Sequence, residues 1–344
     1  MIYLSRASVW LPEGFESGEF ISEQSGIPVH IVKEKMGIQK KCRATADEHP
    51  SMMAIEASKH VLKGIDPLSV DLVIWTGSEY KDYNVWSAGI FVQRELGLKK
   101  AHAFDIAARC STNVVGLRVA KAMMTAHPEI KRVLLCGGHK TGDLVNYKDE
   151  NSRFLYNLSD GGSAMLVEHE SILSNPQASE ILSSSVMTDG DFSLDVIIPA
   201  GGTKKPAHSN PSKEDCCLQV PDMAGMRDRL AERSIENFLH VIREAAKNSM
   251  SKPIDYLALL HMKKSAHDAI LEPLELKEEQ SVYLDQYGHF GAPDQVLSVG
   301  LAEKQKKLKE GDHVVLASAG IGYTWSAISL KWRGDVFVQD SLKV

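Results

Sequence analysis

The 344-residue sequence contains no run of about 18 apolar residues, so it predicts no membrane-spanning helix. Its first residues, Met1-Ile2-Tyr3-Leu4-Ser5-Arg6, lack the charged lead and long apolar stretch of a secretory leader, and the expected location is the cytoplasm. Cysteine is scarce: Cys42, Cys110, Cys136, Cys216 and Cys217 form an odd set without CxxC spacing. That pattern predicts reduced thiols, with neither a disulfide framework nor a zinc site. Cys136-Gly137-Gly138-His139 offers only two soft ligands, too few for a metal centre, and no metal is expected. Positive charge is also short. The net charge of −6 and the lack of a Lys/Arg stripe exclude a general nucleic-acid binder, because nothing is available to neutralise phosphates. The short basic cluster from Lys304 to Lys309, broken by Glu310, is read as the solvated face of a helix.

Apolar residues make up 43% of the chain and charged residues 24%, enough for a large core in two domains or one duplicated unit. Short β-rich runs alternate with helical patterns, the signature of α/β layering. Strands are predicted at Leu72 to Thr76, Val133 to Cys136, Ala164 to Val167, Tyr256 to Leu260, Val314 to Ala317 and Ala327 to Leu330. Apolar residues at i, i+3, i+4 predict helices over Ser51 to Leu62, Ser87 to Leu96, Asn113 to Ala126, Met226 to Lys247 and Gln295 to Leu308. The order of runs occurs twice, which predicts two similar halves, 1–175 and 176–344. The segment from Ser183 to Met223, rich in Ser, Gly, Pro and Asp, is expected to connect them across the surface.

Cys110 ends the run Phe104-Asp105-Ile106-Ala107-Ala108-Arg109 and opens a small-residue helix from Ser111. A thiol at such a strand-to-helix turn faces a pocket, and the free N–H groups and dipole of the next helix favour its thiolate. His261 directly follows a strand, at the end of α/β strands where ligand sites gather. Glu79, in Thr76-Gly77-Ser78-Glu79-Tyr80, also follows a strand; it is either a general base or a loop carboxylate paired with Arg109 or a nearby Lys.

Four motifs in order carry a resemblance: Asp105 to Ser111 around Cys110, Leu259-Leu260-His261, Tyr287-Gly288-His289-Phe290-Gly291, and Ala319-Gly320-Ile321-Gly322-Tyr323-Thr324-Trp325. With Asp160-Gly161-Gly162 ahead of a strand, they make the chain resemble the thiolase superfamily, and most specifically β-ketoacyl-acyl-carrier-protein synthase III and its relatives, over essentially its whole length. The resemblance implies a five-layered α-β-α-β-α sandwich of two duplicated halves, a homodimer, and a cytoplasmic acyltransferase. Such an enzyme would take an acyl group onto Cys110 from a coenzyme A or acyl-carrier-protein thioester and join it to a second thioester by Claisen condensation. No cofactor is implied beyond coenzyme A or phosphopantetheine as carrier.

The alternatives on the same scaffold are acyl transfer to oxygen or nitrogen, thiolytic cleavage, or a non-catalytic partner subunit. By resemblance His261 and His289 hold the enolate oxygen of the second thioester, and backbone N–H groups at Cys110 and beside Gly320 and Gly322 form the oxyanion hole. His289 stands where synthase III enzymes usually carry Asn, as in the elongating synthases, and Glu79 stands where hydroxymethylglutaryl-CoA synthases carry a catalytic glutamate. The family's tryptophan and arginine for the coenzyme A nucleotide are replaced by His30 and Glu34, leaving Lys33, Lys35 and Arg153, with Phe290, as candidates for substrate binding.

Overall fold

Strands such as Leu72-Val73-Ile74-Trp75 are apolar at every position because both their faces are covered, as strands inside an α/β sheet must be. The computed structural model describes residues 1–338 and 342. Its strands are β1 (Ile2–Trp10), β2 (Phe15–Ser17), β3 (Lys40–Cys42), β4 (Leu72–Trp75), β5 (His102–Asp105), β6 (Arg132–Lys140), β7 (Asp160–His169), β8 (Ser179–Thr188), β9 (Tyr256–Leu259), β10 (His313–Gly320) and β11 (Thr324–Lys331). The α-helices are α1 (Gly18–Ser25), α2 (Pro50–Val61), α3 (Ala88–Glu95), α4 (Thr112–Ala126), α5 (Met223–Lys247), α6 (Lys264–Leu271) and α7 (Asp294–Lys304). Every predicted strand and helix is present, the last helix stopping at Lys304 short of Leu308; β1, β2, β3, β8, α1 and α6 are additions to the sequence reading.

The strand order β5-β4-β6-β7-β1-β8-β11-β10-β9 contains one pattern twice. In the first half β4 runs parallel to β6, β6 antiparallel to β7, and β7 antiparallel to β1. In the second, β9 runs parallel to β10, β10 antiparallel to β11, and β11 antiparallel to β8. The two sets meet only through β1 and β8, at Tyr3 opposite Glu180 and Leu4 opposite Ser179. Helices α4 and α7 pack against strands of both sets, α2 and α3 cover the first, and α5 covers the second. The result is the α-β-α-β-α sandwich. In α5 the buried stripe Phe238, Val241, Ile242 and Ala245 has helical spacing and faces the second set.

The connection between the halves departs from its expected surface path. Strand β8 extends it to Thr188, and beyond that Phe192, Val196, Leu218 and Val220 are buried. The last three cluster with Leu144, Leu155, Leu158 and Met226. These few apolar residues, spaced through a polar composition, suffice to fold the segment inward. Ion pairs from α5 fasten it, Arg229 to Asp195 and Arg233 to Asp189 and Asp191. Residues after β11 return to the first half: Ala7 N–H donates to Val336 O and Val338 N–H donates to Ala7 O, each at 2.8 Å. Among the described residues, no helix is long and apolar enough to cross a membrane.

Candidate active site

Cys110 lies in a single helical turn, Arg109–Ser111, between β5 and α4. Arg109 takes φ +54°, in the left-handed region that favours glycine, and this sharp reversal turns the following thiol out of the strand direction. The turn is held on every side. Ser318 Oγ donates to Cys110 O at 2.7 Å, Ser111 Oγ donates to Thr324 O at 2.8 Å, and Thr112 Oγ1 donates to Arg109 O at 2.5 Å. Asn113, the second residue of α4, donates to Ala292 O at 2.9 Å and accepts from Thr76 Oγ1 at 2.6 Å. Gly320 is required by proximity, since a Cβ there would lie 2.2 Å from Ala108 O and 3.1 Å from Cys110 N.

The thiol opens into a cavity of about 1480 Å³ that His139, His261 and His289 also line. Cys110 Sγ lies 3.1 Å from His289 Nε2, and on the far side of that ring Nδ1 lies 2.5 Å from Asp294 Oδ2. Asp294 is fully buried at the first position of α7. It also accepts the backbone N–H of His261 at 2.7 Å and of Phe290 at 3.0 Å, so a single carboxylate ties together the segments of both histidines. Burial opposes a charge on His289, but the Asp294 carboxylate and then Cys110 outweigh it and hold the imidazole well above its ordinary value. His261 is the opposite case: burial, reinforced by the neighbouring His289 charge, pushes it down to about 3. Neither buried ring nitrogen makes a well-formed hydrogen bond to the protein, although the Gly37 backbone lies close enough to favour the charged form slightly. A neutral imidazole so placed is a hydrogen-bond donor open to an acceptor in the cavity.

The other residues singled out in the sequence separate into groups. Lys35 and Arg153 line the cavity, whereas Lys33 lies off its wall and pairs with Glu19. Phe290 is fully buried in the central core against Gly161, so it packs where a substrate contact was expected. Gly322 faces a second, smaller hollow with Asp189 and Thr188, away from Cys110, and of the two glycines only Gly320 abuts the nucleophile. Glu79 reaches the cavity, but its carboxylate is ion-paired with Arg109 at a half-exposed rim. Two features, one buried behind the cavity and one lining it, are not legible in the sequence. Asp294 reads in sequence as an ordinary acidic residue opening a helix after Pro293. His139 was considered only as a metal ligand, yet it is buried, is pushed down to about 3 by burial and then by His289, and has an unpartnered Nε2.

A thiol at the head of the central helix, with two histidines delivered by the second half of a duplicated sandwich, defines a thiolase-fold acyltransferase of the condensing type. Family models agree: "3-Oxoacyl-[acyl-carrier-protein (ACP)] synthase III" matches residues 104–190 and its C-terminal counterpart matches 245–332. The chain is 30% identical to a β-ketoacyl-[acyl-carrier-protein] synthase III of Clostridioides difficile over 324 residues, covering 92% of this chain and 90% of the relative. It is 27% identical to that of Chlamydia caviae over 346 residues, covering 95% and 97%. The structure superposes on 3-oxoacyl-[acyl-carrier-protein] synthase III of Aquifex aeolicus with a TM-score of 0.81 at 21% identity, covering 96% of this chain and all of the other. It superposes on the priming β-ketosynthase of the R1128 polyketide pathway with a TM-score of 0.83 at 16% identity, covering 97% of each chain. The chain belongs to the 3-oxoacyl-acyl-carrier-protein synthase III family.

Proposed function

We propose that this enzyme loads an acyl group from a coenzyme A or acyl-carrier-protein thioester onto Cys110 and condenses it with a malonyl-type thioester. The observation that carries the reading is the 3.1 Å approach of Cys110 Sγ to His289 Nε2, with His261 lining the same cavity. In the loading step the thiol proton sits on His289 and the Cys110 sulfur attacks the thioester carbonyl, expelling the carrier thiolate. In the condensing step His261 and the protonated form of His289 donate to the carbonyl oxygen of the second thioester, stabilising the enolate that forms as CO2 leaves. The enolate carbon then attacks the Cys110 thioester and releases a β-keto product. Loss of CO2 generates the carbanion without a base, in keeping with the engagement of Glu79 by Arg109.

Lys35 and Arg153 at the cavity wall are suited to the phosphate of a phosphopantetheine arm, whichever carrier bears it. The reading includes a cytoplasmic homodimer of two-half subunits, 1–175 and 176–344, with no metal or further cofactor in the reaction. The test is intact-protein mass after incubation with a panel of acyl-CoA thioesters, beside Cys110→Ala, followed by malonyl thioester. An adduct absent from the variant and discharged as a β-keto thioester with loss of CO2 is expected. An adduct unaffected by Cys110→Ala would overturn the reading.

A further inference from the structure

We propose that the acyl group carried by Cys110 bears an oxygen near its third carbon, as a hydroxy- or oxo-acyl group does, and that His139 recognises it. This names a substrate class for the site and rests on the loading of Cys110. The argument starts from how the cavity wall is divided. Strands β5, β4 and β6 lie side by side and run parallel, so their carboxyl ends open together, on Arg109 and Cys110, on Ser78 to Tyr80, and on His139 to Thr141. Ser78 N–H donates to Gly138 O at 3.0 Å and ties two of these ends to each other. The wall they form is polar. The wall that α5 and the α6 region contribute is apolar, with Met226, Leu230, Phe238, Met262 and Ala266. A plain alkyl chain is matched by the second wall and not by the first.

Within the polar wall several groups are already engaged. Thr141 Oγ1 donates to Ser159 O at 2.9 Å, Ser78 Oγ accepts Tyr80 N–H at 3.0 Å, and Glu79 pairs with Arg109. His139 stands apart. It is 4% exposed, near the end of β6, and its Nε2 has no protein partner. The ring is wedged beside Gly291, where a Cβ would lie 2.6 Å from Nδ1, and Gly291 follows His289 by two positions. His139 is thereby set next to the His289–Cys110 pair, in reach of the first few carbons of a bound acyl group. Burial and the charge of His289 keep the imidazole neutral, so it offers one donor and one acceptor. An alkyl chain lying against it leaves both unused, whereas a hydroxyl engages either and a keto oxygen takes the donor. A carboxylate is matched less well, because the ring is neutral and Arg109 is already held by Glu79. In loading, the Cys110 sulfur forms the new C–S bond, the bond to the carrier sulfur breaks, and the carrier departs as its thiolate. The oxygen on the third carbon makes and breaks no bond and serves recognition alone.

The test follows acylation of Cys110 by intact-protein mass with butyryl-CoA, 3-hydroxybutyryl-CoA, acetoacetyl-CoA and succinyl-CoA. Each rate constant is divided by that of the same thioester with N-acetylcysteine in solution, which removes differences in intrinsic reactivity. Butyryl-CoA has the chain length of the two oxygenated donors and lacks the oxygen. Both oxygenated donors are expected to load at least about tenfold faster than butyryl-CoA, since the alkyl group leaves a buried polar group unpaired. His139→Leu is expected to bring that ratio within about twofold of one, and His139→Asn, which keeps a donor and an acceptor, to hold it above about threefold. Wild-type protein that loads butyryl-CoA as fast as the oxygenated donors would overturn the proposal and leave the loading step standing, whether or not either variant folds. Fastest loading by succinyl-CoA would also overturn it, by placing a carboxylate in the site. So would a His139→Leu protein that slows with every donor alike and keeps the ratio, because the residue would then be structural. No adduct from any of the four donors would remove the loading step on which both readings depend.

Discussion

Replacing Asp294 should damage stability and chemistry by separable amounts. The buried carboxylate satisfies three donors, the Nδ1–H of His289 and the backbone N–H groups of His261 and Phe290. Asp294→Ala strands all three at a buried position. Each buried unsatisfied donor costs about 1–3 kcal/mol. Breaking a buried charged pair costs about 3–5 kcal/mol in total, a melting temperature lower by roughly 4–7 °C for a chain of this length. Asp294→Asn retains one acceptor oxygen and should lose about half as much. The pH dependence has a defined sign. His289 is held above its ordinary value, so its contribution is complete below the unfolded histidine value, about 6.5, and is lost as pH rises through the elevated folded value. The groups disposed about the ring are Cys110, Asp294, His139 and His261, of which the last two are neutral across this window. The stability gap between wild type and Asp294→Asn should therefore narrow toward high pH. Thermal unfolding at a series of pH values, with the rate of Cys110 alkylation measured on the same samples, tests both parts. A gap that widens with pH, or an Asp294→Ala protein melting within 1 °C of wild type, would refute the reasoning.

Three further outcomes are expected. His261→Ala should still form the Cys110 adduct but discharge it to malonyl thioester about 10²–10³-fold more slowly, as followed by adduct mass against time. Glu79→Gln should change the condensation rate less than about tenfold, because Arg109 already holds the carboxylate; a hundredfold loss would mean that Glu79 takes a proton from substrate. Gly320→Ala should push the nucleophile turn off Ala108 O, costing about 1–3 kcal/mol in a denaturant titration and slowing acylation.

How much of this could be read from the sequence depended on whether a residue's setting was local. Leu72 to Trp75 announces a buried strand because its four residues are apolar together, and Cys110 announces a turn because an apolar run ends just before it. His261 was placed by the strand that precedes it. Asp294 was hidden because its partners are set by a chain reversal at Gly291, φ +85°, which brings the start of α7 back beneath the ring of His289. Position five residues after a histidine has no regular geometry to point to such a contact. The connecting segment was misjudged for a related reason. Its composition is that of a loop, while its burial depends on Val196, Leu218 and Val220 meeting Leu144 and Leu158, which precede them by 38 to 76 positions. Glu79 admits two roles in sequence because its ion-pair partner, Arg109, lies thirty positions further on.

The return of residues 336–338 to β1 has a consequence for how the molecule assembles. Ala7 is bracketed by Val336 and Val338, and Glu303 at the end of α7 accepts the N–H groups of Val336 and Phe337. Contacts between positions more than three hundred residues apart repay their loop-closure entropy only when nearly everything between them is ordered. Strand β1 also forms the seam between the two sheet sets. The earliest strand in the chain is thus among the last to be secured, so folding should be slow and governed by long-range closure. An intermediate with β1 loose would expose the sheet edges of both halves at once, the state in which the protein is most vulnerable to association with its own copies.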